Sequence, residues 1–147
     1  MKNFLNQLFD YNFYCNKKLI AQAEGLAKYP EHSAKLFSHI LNAHHIWNKR
    51  IMGLDREFDV WQLHDKDTWA DIHYENQRST FEVIRNTEDF NKRIDYETTE
   101  GRLFASDLKD ILFHIINHST HHRGQLLADL RANDLDIEEL DFILYKR

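Results

Sequence analysis

With 147 residues the chain has room for one domain around a sizeable core, and hardly for two. Its formal net charge of −5, with both signs interspersed, argues against a nucleic-acid surface, which shows a basic excess or stripe. At 42% apolar and 29% charged residues it falls outside the disordered class, and no run reaches the roughly 20 apolar residues of a membrane span. The opening MKNFLNQLFDYN lacks the apolar stretch of a signal peptide. The single cysteine, Cys15, has no internal disulfide partner, so a reducing, cytoplasmic setting is expected.

The first helical pattern runs from about Lys2 to Leu26, with Phe4, Leu8, Tyr11, Cys15, Leu19 and Ala23 at helical spacing. Pro30 is placed to open a second helix carrying Leu36, Ile40, Ala43, Trp47 and Ile51, which stops near Gly53. A loop through Phe58, Trp61 and His64 follows, and Asp65 or Asp67 is the expected cap of a third helix marked by Trp69, Ile72, Phe81 and Ile84. The segment IDYETTEGRLFA, from Ile94 to Ala105, predicts two short strands around Glu100-Gly101. Ser106 is then the expected cap of a long fourth helix reaching about Ala132, and a short tail spans Ile137 to Tyr145. Four long helices with short connections predict an all-α fold, a four-helix bundle with a hairpin before the last helix, in a single domain over residues 1–147.

Ten histidines stand out, four of them between His114 and His122 and interleaved with apolar residues. A helical residue advances about 100° around the axis. On the fourth helix this puts His122 within the arc of Leu108, Ile111, Leu112, Ile115, Leu126 and Leu130, and His118 on its margin. His114 and His121 fall further out. An i, i+4 histidine pair lets two imidazoles share one metal ion, and another helix has to complete the site. On the second helix His45 points away from the apolar arc and is expected in solvent. His39 and His44 flank that arc equally, and periodicity does not choose between them. Histidines held by Asn117, Ser119 or backbone carbonyls are the competing structural interpretation.

The stretch HIINHSTHHRGQ, with Asn117, His118, His122, Arg123, Gly124 and Gln125 in the pattern NHxxxHRGQ, resembles the DinB/YfiT-like family of metal-binding four-helix bundles. So does SHILNAHHIW, where Trp47 follows His39 by eight residues, and so do YETTEG and the closing LDFILYKR with Asp141. The resemblance covers essentially the whole chain. It implies that His39, His118 and His122 are the metal ligands, and that the protein is a homodimer. Position 44 is often acidic in the family but is histidine here, so His44 is a candidate fourth nitrogen near the metal; His114, one turn before His118 as in close relatives, is expected behind the ligands or facing the substrate. Arg123 and Gln125 are expected to fix helix contacts, and Gly124 to permit close helix approach.

Three neutral imidazoles leave an ion its full charge and an open position, suited to zinc or nickel first and to iron or manganese after them. Asn117, Asp110 and Glu75 are candidates to accept the outer imidazole N–H groups. The resemblance implies a metal-dependent enzyme acting on a small-molecule substrate, in the first place a transferase of a low-molecular-weight thiol. The alternatives are a metal-dependent hydrolase and a non-catalytic metal-binding dimer.

Overall fold

The computed structural model describes residues 1–147. Four long helices, α1 (Lys2–Glu24), α2 (Glu31–Met52), α3 (Trp69–Asn86) and α4 (Leu108–Ala132), form a bundle. A hairpin of β1 (Arg93–Glu97) and β2 (Leu103–Asp107) precedes α4, and a single turn, α5 (Phe142–Tyr145), closes the chain. The predicted bundle and hairpin are thus both present. No helix is long and apolar enough to cross a membrane.

Helix contacts run around the bundle in the order α1, α3, α2, α4. This makes α2 and α4 neighbours although α3 and the hairpin lie between them in the chain. They are antiparallel: Ser33 Oγ donates to Asp129 at 2.7 Å, His39 faces His118 and His122, and Trp47 meets His114. Gly53, at φ +67°, ends α2 in the left-handed conformation, so that the Leu54 N–H reaches back to the Lys49 carbonyl. The strands pair antiparallel, with Ile94 opposite Ser106 and Tyr96 opposite Phe104. Gly101, at φ +79°, allows the tight turn between them.

Two apolar clusters fill the interior. One gathers Leu19, Phe37, Ile40, Trp69, Leu126 and Leu130; the other gathers Leu5, Phe9, Ile84, Leu108, Leu112 and Ile115. In every helix, buried polar residues fall between these two groups: Asn12 and Asn16, His44 and Asn48, His73, Asn76, Gln77 and Thr80, and Arg123. A polar layer therefore crosses the bundle at mid-height. Its hydrogen bonds include Asn48 Nδ2 to the Asn76 carbonyl and Asn76 Nδ2 to the Leu41 carbonyl, at 2.9 and 3.0 Å. These bonds satisfy amides that would otherwise destabilise the core by about 1–3 kcal/mol each, whereas Asn12 Nδ2, Asn16 Nδ2, His73 Nδ1 and Gln77 Oε1 in the same layer have no partner.

Several details differ from expectation. The residue capping α4 is Asp107, not Ser106, which lies in β2 and shares a hydrogen bond with the Tyr96 hydroxyl at 3.1 Å. Extending the strand one residue puts Asp107 at the junction, beside Arg93 and Lys109. Helix α3 begins after a 3₁₀ turn, Lys66–Thr68, in which the Asp65 carbonyl, not its side chain, takes the Thr68 hydroxyl. On α1 Tyr11, Cys15, Leu19 and Ala23 are buried as expected, but in the first turns Leu5 and Phe9 point inward while Phe4 is exposed. Gly124 faces open space, where an added methyl group would meet no atom within 4 Å, so close helix approach is not its reason.

Candidate metal centre

His39 enters from α2, and His118 and His122 from consecutive turns of α4. One ring nitrogen from each lies within 4.8 Å of the others. The Nε2 atoms of His39 and His118 are 3.2 Å apart. Two nitrogens 2.0–2.1 Å from one tetrahedral ion stand about 3.3 Å apart, so this pair already has the spacing of two ligands. His39 is buried and the other two are half-buried, which leaves one side of the cluster open.

The outer nitrogens decide which atoms are free. His39 Nδ1 donates to the Val60 carbonyl at 2.9 Å, so its Nε2 is bare and aimed at the cluster. His122 Nδ1 lies 2.7 Å from Gln125 Oε1, one turn further along α4, which likewise frees Nε2. The acceptors are thus Val60 and Gln125. Of the expected ones, Glu75 pairs with Arg78, while Asn117 and Asp110 make no side-chain hydrogen bond to the cluster. Burial, with His122 and His39 nearby, pushes His118 down to about 3, and burial also lowers His39. Both rings are therefore neutral at pH 7 and able to offer a lone pair. The donor set fits a divalent ion.

The loop after α2 closes over His39. Trp61 stacks on its ring at 3.8 Å between centroids and 9° between planes, yet is 61% exposed. Asn42 pins this loop by donating to the Val60 and Gln62 carbonyls and accepting from His64 Nε2 at 2.6 Å. Periodicity gives no hint of either contact, because Val60 and Trp61 lie in irregular backbone. An aromatic in a loop two turns past a histidine-bearing helix is the only sequence signal.

The other histidines separate clearly. His44 turns to the opposite neighbour, its Nε2 lying 2.7 Å from Thr80 Oγ1, and does not join the cluster. His114 lies one turn before His118, against the Trp47 ring, and contributes no nitrogen to the group. His121 is exposed. His45, expected in solvent, is buried at 8% exposure, because the loop folds back and the Glu57 N–H donates to its Nε2 at 3.0 Å. Arg123 is buried and bridges α4 to α1, donating to Asn12 Oδ1 at 2.5 Å and Asn16 Oδ1 at 3.1 Å. Cys15 is buried on α1 and is not a member of the cluster, and burial raises its thiol pKa, which disfavours the thiolate.

Comparison with known proteins agrees with this architecture. Protein DinB of Bacillus subtilis (strain 168) is 20% identical over 163 residues, covering 99% of this chain and 95% of that protein. The crystal structure of a DinB-like protein from Bacillus cereus ATCC 10987 superposes with a TM-score of 0.68 at 20% identity, covering 92% and 94% of the two chains. That likeness establishes the shared fold. The model of the DinB family matches residues 1–146, and the chain belongs to that family.

Proposed function

We propose that the protein is a metal-dependent enzyme that transfers a small thiol to a small electrophile. The observation that carries this reading is a ligand group of three histidines with no carboxylate or cysteine among them. When bound, a divalent ion supplies the charge that deprotonates an incoming thiol and holds it for attack. A hydrolase of the same kind generally uses a nearby carboxylate as base for water, and no carboxylate belongs to the cluster, although His114 stands one turn from His118. The chain's own residues fix the geometry. Val60 and Gln125 set the tautomers of His39 and His122, and Trp61 shields one face of His39, while His118 and His122 stay half-buried. Zinc and nickel are the proposed ions, with iron and manganese next.

The working form is taken to be a homodimer. Leu103 and Phe104, neighbouring exposed apolar residues on β2, are offered as part of the surface that a second copy covers. Light scattering on the purified protein reads its mass.

The decisive experiment is purification without a metal-affinity column, elemental analysis, and a conjugation assay. Glutathione and smaller thiols are offered with an activated aryl halide, with and without chelator. One metal per chain and thioether formation that disappears with chelator and in His122→Ala support the proposal. Ester, amide or phosphate turnover with no thiol dependence would establish the hydrolase instead. A loaded protein silent in both assays would favour the non-catalytic form.

A further inference from the structure

A cavity of about 600 Å³ lies between the C-terminal end of α2, the segment that follows it and the hairpin. Its lining includes Lys49, Arg50 and Arg56 on one hand and Asp55, Asp95 and Glu97 on the other. The volume is in the range of pockets that enclose small molecules.

The cations of this cavity are not equivalent. Lys49 is paired with Glu57 at 2.8 Å, and Arg56 with Asp59 at 3.4 Å. Arg50 forms neither a salt bridge nor a side-chain hydrogen bond, although it is half-buried. Its guanidinium lies over the Trp47 ring at 4.5 Å and the Tyr96 ring at 5.4 Å. Those rings stand 5.0 Å apart at 73° to one another and hold the guanidinium from one side, but aromatic faces do not satisfy the N–H groups along its edge. Burial lowers its pKa, and the like-charged Arg56 lowers it further. The carbonyl end of α2 offsets part of its charge without giving the fork an acceptor. A pre-oriented guanidinium with free N–H groups beside a cavity is suited to a planar carboxylate bound at two points.

The carboxylates of the cavity narrow the ligand further. Asp55, Asp95 and Glu97 have no cationic partner. A phosphate dianion on Arg50 would face three negative groups, whereas a molecule carrying an ammonium beside its carboxylate satisfies both signs. We propose that the Arg50 cavity binds a small amino-acid-like zwitterion, its carboxylate on the Arg50 guanidinium and its ammonium on the acidic rim. This site stands apart from the histidine cluster and does not depend on a metal there. Trp47 connects the two, touching Arg50 on one side and His114, the neighbour of His118, on the other. An anchored molecule thus sits one aromatic layer from the histidines.

The test is calorimetric titration of the full chain with S-methylglutathione, whose thiol is blocked, and in parallel with acetate, ethylamine and inorganic phosphate. S-methylglutathione is expected to bind at least tenfold tighter than each of the other three. Arg50→Met should weaken it at least tenfold, and Arg50→Lys should not restore it, because an ammonium lacks the fork. His122→Ala should bind as the parent does, which separates this site from the metal reading. Should Arg50→Met not fold, amide resonances of the parent decide: ligand-induced shifts should centre on Asp95 to Thr99. Unchanged affinity in Arg50→Met, phosphate binding as tightly as S-methylglutathione, no binding of any probe, or shifts centred on α4 would each overturn the proposal.

Discussion

Gln125 shows what a single side chain contributes to the cluster and why pattern alone does not reveal it. The sequence places it in the same motif as Arg123, with both expected to fix helix contacts. Only Arg123 does so; Gln125 holds the outer nitrogen of His122. Removing such an outer partner weakens metal binding about 10- to 100-fold, so Gln125→Ala is expected to lose affinity by that factor with the helices intact. Competition against a metallochromic dye, with circular dichroism as the control, reads both. His44 and His73 make a different prediction. Burial, reinforced by neighbouring charges, holds them down to about 3 and about 4, against an ordinary 6.5. Both are neutral in the fold, while the unfolded chain takes up their protons below about 6.5. Their contribution is complete above that pH and is lost as pH falls toward 4, by about 1.4 kcal/mol per pH unit for each. Urea denaturation in chelator at pH 7, 5.5 and 4.5 should show this decline, and His44→Gln should flatten it. Parallel slopes for parent and variant would contradict the assignment.

At the scale of elements, the fourth helix is the most legible in the sequence and the third the least. The apolar residues of α4 recur at helical spacing and all six that define its inward face are buried. Helix α3 buries His73, Asn76, Gln77 and Thr80, so its inner face carries polar residues where a hydrophobic pattern is sought. Those residues are intelligible only once the layer they meet, with Asn48, His44 and Arg123, is assembled from other helices. The loop over His39 is illegible for a related reason: its contacts are made by backbone carbonyls and an exposed indole, which have no periodicity. Gly124 belongs at this scale too. A methyl group there meets nothing within 4 Å, and glycine in mid-helix costs about 1 kcal/mol against alanine. Gly124→Ala is therefore expected to stabilise the chain by about 0.5–1 kcal/mol, measured by chemical denaturation. A loss of stability in a monomeric sample would show that the position is constrained within the fold after all.

For the whole molecule, the ring order of helices is what makes α2 and α4 neighbours, and it is the part of the site that spacing on one helix does not supply. The helical wheel leaves His39 and His44 level; in the bundle one faces α4 and the other α3. The resemblance to a family supplies the choice that the geometry makes visible. Because the cluster draws on both helices, an ion bound there stabilises the folded chain over the unfolded one. At a thousandfold excess over its dissociation constant the gain is about 4 kcal/mol, or roughly 10 °C in melting temperature. Scanning calorimetry with zinc or nickel and with chelator measures this, and His118→Ala should remove the difference. His39 and His118 are also 79 positions apart along the chain. Two ligands at that separation meet only after α2 and α4 have docked, so ion capture comes at the end of folding and has no part in guiding it. Stopped-flow refolding should then run at the same rate with or without the ion, while unfolding slows in its presence, giving the loaded protein a longer lifetime without a faster birth.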